Sequence, residues 1–89
     1  MDTYSQLSAL LDLAEEIGLS VRLMPAAADG SDHSGGALVR MKGKEVLFLD
    51  SQASVADRLA VVARALSRRK ELEDRFLAPE LREIIERNT

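Results

Sequence analysis

The chain is 89 residues long, carries a net charge of −3 and contains no cysteine. This length predicts one domain with a small core, and the absence of thiols excludes disulfides, iron–sulfur clusters, thiolate zinc sites and a cysteine nucleophile. Because no stretch approaches the ~18 apolar residues of a membrane span and the N-terminus lacks the basic region of a signal peptide, we expect a cytoplasmic protein with no membrane partner.

The first predicted element is an amphipathic helix, because apolar residues recur at three- and four-residue spacing. This stripe consists of Leu7, Leu10, Leu11, Ala14 and Ile17. Asp2 or Thr3 can cap the start of the helix, and Gly18 suits the left-handed position that follows a helix end.

Residues 19–24 (LSVRLM) alternate apolar and polar side chains, which predicts a half-buried strand. Pro25 lacks a backbone donor and either ends this strand or places it at a sheet edge. Residues 26–36 mix glycine, serine and aspartate without periodicity, so we expect a loop. Its last glycine pair, Gly35-Gly36, marks a bend or a close backbone approach at the entrance of the next strand.

A β-hairpin is predicted over residues 35–50, with its turn at Lys42-Gly43 (type I′) or at Gly43-Lys44 (type II′). We favour Gly43-Lys44, since the other turn requires a positive φ at Lys42. Both turns divide the side chains in the same way. One face carries Val39, Met41, Val46 and Phe48, and the other carries Leu38, Arg40, Lys42, Glu45, Leu47 and Leu49. We expect the first of these faces to meet the helices.

Ser54, with Asp57 three residues later, predicts the capped start of a second helix that runs to about Ser67. Its wide apolar arc consists of Val55, Ala56, Leu59, Val62, Ala63 and Leu66. Pro79 suits the first position of a last helix, and the apolar residues expected to anchor the segment before it are Leu72, Phe76 and Leu77.

These elements predict a single α+β domain over residues 1–89, in the order α-β-β-β-α-α. A small three-stranded sheet containing the antiparallel hairpin packs on two or three helices, and the last helix closes one end.

No residue set predicts catalysis, a metal or a cofactor. His33, the single histidine, lies in the 26–36 loop beside Asp32 and Ser34, and neighbours within one loop cannot converge as a catalytic triad does. The glycines of this loop do not predict a phosphate cradle, because the loop leads into a strand instead of a helix. A hydrolase that uses His33 is the weakest of the functional hypotheses.

Residues 35–66 resemble a small, uncharacterised group of bacterial proteins. The shared pattern is Gly35-Gly36, then Arg-x-Lys-Gly-Lys at 40–44, an apolar strand ending in Asp50, and the capped helix 54–66. More distantly, a hairpin followed by a helix is similar to the start of the zinc peptidases related to phage-repressor cleavage. Their helix carries His-Glu-x-x-His, whereas residues 59–66 read LAVVARAL, so this resemblance implies a scaffold without zinc and carries over no site residue.

The leading functional hypothesis is a non-catalytic protein-interaction module that binds a protein partner or a second copy of itself. It depends on the lack of a catalytic constellation, the open sheet edge and apolar residues on both sheet faces. The predicted interaction surface consists of Leu38, Arg40, Lys42, Lys44, Leu47 and Leu49. The alternative is nucleic-acid or nucleotide binding by the basic middle segment, where residues 37–70 carry eight bases and three acids. The bases expected to take part are Arg40, Lys42, Lys44, Arg64, Arg68 and Arg69.

Overall fold

The structure, a computed structural model, describes residues 1–24, 36–67 and 69–88. The helices are α1 (Thr3–Glu16), α2 (Val55–Leu66) and α3 (Pro79–Arg87), and a single 3-10 turn covers Lys70–Leu72. The strands are β1 (Ser20–Met24), β2 (Gly36–Met41) and β3 (Lys44–Asp50). The α+β class and the predicted element order are therefore confirmed. None of the helices within these ranges is long and apolar enough to cross a membrane.

Local capping residues set where the helices begin. The Asp2 carboxylate accepts a hydrogen bond of 2.7 Å from the Ser5 backbone N–H, and this bond lowers the pKa of Asp2. The Ser54 hydroxyl accepts a 3.0 Å bond from the Asp57 N–H at the start of α2, and Pro79 occupies the first turn of α3. Each cap was predicted because it depends on residues close in sequence.

The three strands form one mixed sheet in the order β1-β3-β2. β3 lies in the centre, pairs in parallel with β1 and pairs in antiparallel with β2. Both β1 and β2 are consequently edge strands of this sheet, with one side of each backbone unpaired by a strand of the described ranges.

The hairpin turn differs from the one that we favoured. Met41 pairs with Lys44, and Lys42 and Gly43 both have positive φ, at 51° and 79°, as a type I′ turn requires. This register places Arg40 opposite Glu45, whereas a turn at Gly43-Lys44 would place that arginine opposite a core leucine. The prediction of Gly43-Lys44 is wrong, because the pairing along the whole hairpin outweighs the strain at one lysine.

The core lies on the opposite side of the sheet from the one that we predicted. Leu47 and Leu49 are 0% and 1% exposed and belong to the core cluster with the buried faces of the helices. The parallel register explains this outcome, since it aligns Val21 with Leu47 and Leu23 with Leu49. β1 thus extends the leucine face with apolar residues and contributes Ser20, Arg22 and Met24 to the other face.

The helices pack together beside this leucine face. α1 and α2 contact each other and the sheet, and α3 packs on α1 and α2. The largest fully buried side chains of this core are Leu10, Leu47, Leu49, Val62, Leu66 and Ile84. Leu72 and Leu77 are buried and belong to the core cluster, but Phe76 is exposed, so its predicted anchoring role is wrong.

Candidate interaction surfaces

The sheet face that points away from the core is apolar. Along β3, Val46 and Phe48 alternate with the two buried leucines and so lie on the other side of the sheet. The antiparallel register adds Val39 beside Val46 and Ala37 beside Phe48. We define the open sheet face as the apolar residues on this side: Met24, Ala37, Val39, Met41, Val46 and Phe48.

The outer strands leave much of this face in contact with solvent. Met24 and Met41 are each 47% exposed and Val39 is 39% exposed. Within the described ranges, none of these three side chains belongs to the core cluster or packs against it. An apolar surface of this kind on a small domain indicates a contact with another molecule.

Charged residues lie at the margins of the open sheet face. By alternation, Arg22 on β1, Lys44 at the hairpin end and Asp50 at the other end of β3 share this side. The Asp50 carboxylate accepts a 2.9 Å bond from the Gln52 N–H, which holds it in the turn after β3. The centre of the face is consequently uncharged, with a polar rim, as in many protein interfaces.

The structure divides the predicted interaction surface between the core and the exterior. Leu47 and Leu49 are buried, so their side chains are not available to a partner. Leu38, Arg40, Lys42 and Lys44 are exposed. Sequence reasoning missed Val39 and Met41 as surface residues, because it assigned their face to the core; the polar residues of β1 were the signal that could have corrected this.

The basic residues of the middle segment are partly neutralised. The Glu45 carboxylate accepts a 2.6 Å hydrogen bond from Arg69, whose side chain is 17% exposed, and lies 4.0 Å from the Arg40 guanidinium. Lys42, Lys44 and Arg64 are exposed and make no ion pair within the described ranges. Arg68 lies outside the described residues.

The candidates for chemistry belong to the 26–36 loop. His33 and the 26–35 part of the loop lie outside the described residues, and Gly36 begins β2. Over residues 1–24, 36–67 and 69–88, no group of three or more His, Asp or Glu side chains could hold a metal ion.

Comparison with known proteins gives no relative for this chain. No protein-family model matches it, and neither does a curated protein or a solved structure.

Proposed function

We propose that the protein is a non-catalytic, cytoplasmic interaction module that associates through its open sheet face, with a second copy of the chain as the partner. The observation that carries this proposal is the position of the helices. They pack on the leucine face of the sheet, and the opposite face is also apolar.

A sheet with one solvated face normally carries polar side chains on that face. Here the central part of the open sheet face is Val39, Val46 and Phe48, and the charges lie at its margins. Val39 is 39% exposed and Phe48 is half-buried, whereas Val46, on the central strand, is only 8% exposed. Covering such a surface removes apolar area from water, which contributes about 25 cal/mol for each Å² buried.

A second copy suits this surface because an isologous interface needs only one self-complementary patch. The centre of the patch lacks charges that would repel an identical partner, and its rim contains both signs, Arg22 and Lys44 against Asp50. Apolar cores with polar rims are typical of homodimer interfaces.

Sedimentation equilibrium over a wide concentration range tests the proposal. We expect the wild-type chain to show a concentration-dependent increase in mass, and Met41→Glu to remain a monomer, since the new carboxylate would be desolvated at the interface. Tyr4→Glu is the matched control, because it adds the same charge at an exposed apolar residue of α1. A wild-type monomer at the highest concentration would refute self-association.

Nucleic-acid or nucleotide binding is the alternative proposal. It is supported by Lys42 and Lys44 at the hairpin turn, which are exposed and make no ion pair with the residues that the structure describes. Phosphate contacts by these residues would make the affinity strongly dependent on salt. A gel-shift titration at low salt, with Lys42→Glu/Lys44→Glu as the comparison, tests it. No binding by the wild-type protein would remove this alternative, and equal binding by the two proteins would exclude Lys42 and Lys44 as the contacting residues.

A further inference from the structure

A groove lies between α1 and the edge strand β1, beside the helix-covered face of the sheet. Its volume is about 650 Å³, within the range of about 300–1,000 Å³ that is usual for ligand sites. α1 contributes Leu11, Asp12 and Glu15 to the lining, and β1 contributes Val21 and Leu23.

The backbone of β1 is available on the groove side. The Ser51 N–H donates a 2.8 Å hydrogen bond to the carbonyl of Met24, so the backbone groups of Met24 face β3. Because these groups alternate in direction along a strand, the N–H and C=O groups of Val21 and Leu23 face away from β3. In the described ranges no further strand pairs with that edge.

The side chains of the groove combine an apolar floor with an acidic wall. Leu23 is 62% exposed, and Leu11 and Val21 are half-buried, so apolar area remains in contact with water. Asp12 and Glu15 are one turn apart on α1, exposed, and make no ion pair within the described residues.

No base on α1 offsets this acidic wall. The helix contains no lysine or arginine. Its neighbouring Glu16 is already paired with Arg75 at 2.9 Å. Arg22 also lines the groove, but by strand alternation its side chain belongs to the open sheet face.

We propose that this groove binds an extended, basic segment of a partner protein as an additional strand on β1. The backbone of the segment pairs with Val21 and Leu23, as in other cases of strand addition to a sheet edge. Lysine or arginine side chains at alternate positions lie along Leu11 and Leu23 with their aliphatic parts, and their charged ends reach Asp12 and Glu15.

The site is separate from the open sheet face, because the groove opens beside the helix-covered face. The two proposals can consequently fail independently. We expect Met41→Glu, which should abolish self-association, to bind a basic segment as the wild-type protein does.

Fluorescence anisotropy with the full chain and a labelled peptide of alternating lysine and valine tests the proposal. We expect saturable binding of this peptide and none of a peptide with glutamate in place of lysine. A third peptide, N-methylated at alternate backbone amides on its pairing edge, keeps the charge but lacks the donors for strand pairing, so it should not bind. Failure of the lysine peptide to bind, or equal binding of the methylated one, would overturn strand addition.

Two double variants distinguish peptide binding at Asp12 and Glu15 from a general effect of net charge on peptide binding. Asp12→Lys/Glu15→Lys should weaken peptide binding by about tenfold or more, because two attractive pairs become repulsive. Glu83→Lys/Glu86→Lys makes the same change of net charge at the same spacing on the exposed surface of α3, and should bind nearly as the wild type does. Equal weakening in both variants would contradict the proposed site.

Discussion

Replacement of Gly36 by alanine is the sharpest single test of the sheet geometry. Gly36 begins β2 with a φ of 151° and lies opposite Leu49. A Cβ atom at this position would overlap the carbonyl oxygen of Phe48 and approach the Cα of Leu49 to 3.1 Å. Because both neighbours are backbone atoms of the central strand, no side-chain rotation can relieve the contact.

The expected loss of stability in Gly36→Ala has two separate causes. A positive φ costs a residue with a Cβ about 1–2 kcal/mol, and forcing extra volume into a packed site costs about 1–3 kcal/mol. We therefore expect Gly36→Ala to lower the free energy of unfolding by about 3 kcal/mol. For a domain of this size, such a loss lowers Tm by about 10–25 °C.

Thermal unfolding followed by circular dichroism measures this loss, and Gly18→Ala provides the control. Gly18 follows α1 with a φ of 85°, but a Cβ there meets nothing within 4 Å, so only the first cost applies. If Gly36→Ala destabilises the protein no more than Gly18→Ala does, the close contact that we infer between the backbone of Gly36 and that of β3 is refuted.

Three further predictions concern the core, the ion pairs and the first helix cap. In urea titrations, Leu47→Ala should lower the free energy of unfolding by about 3–5 kcal/mol, whereas Met41→Ala should lower it by less than about 1 kcal/mol. A larger loss for Met41→Ala than for Leu47→Ala would show that the core lies on the face of Met41. Arg69→Ala should lower the free energy of unfolding by about 1–2 kcal/mol, since its hydrogen bond to the Glu45 carboxylate is short and partly buried. Arg40→Ala should change it by close to zero, since its ion pair with Glu45 is long and exposed. Equal losses in the two variants would contradict this ranking. An NMR pH series should show the pKa of the Asp2 carboxyl below its usual value, because the Ser5 N–H bonds the charged form. Since this pKa is lower in the folded state, the stability that Asp2 contributes is present above the unfolded pKa and is lost as pH falls through the folded pKa. Asp2→Asn should remove the contribution of Asp2 to the pH dependence of the free energy of unfolding. If the stability of this variant falls on acidification just as that of the wild type does, the capping bond is refuted.

The features predicted correctly from the sequence depend on neighbours along the chain. Asp2 and Ser54 cap helices through residues three positions away, and Gly18 takes its left-handed position two residues after the end of α1. Gly36 also has the close backbone approach that its place at a strand entrance predicted. In each case the signal is a residue type with a specific backbone requirement.

The wrong predictions of the core face and of the hairpin turn depend on how the strands pair. Alternation in β3 yields two apolar sets, Val46 with Phe48 and Leu47 with Leu49, and does not say which set is covered. The choice becomes visible only when Val21 is aligned with Leu47 in parallel. The turn at Lys42-Gly43 likewise reflects the pairing of the whole hairpin instead of the preference of two residues.

The candidate surfaces were only partly predictable for the same reason. Lys42 and Lys44 were predicted to belong to an interaction surface and are exposed, whereas the exposure of Val39 and Met41 follows from the position of the helices. The groove beside β1 could not be inferred from the sequence, since it requires the placement of α1 against an edge strand.

Methyl NMR on dilution tests the central claim that the open sheet face mediates association. We predict that the methyl signals of Val39 and Met41 shift with protein concentration, while those of Leu47 and Leu49, which are buried on the other side of the sheet, stay constant. Signals of Val39 and Met41 that are independent of concentration up to the solubility limit would contradict the claim.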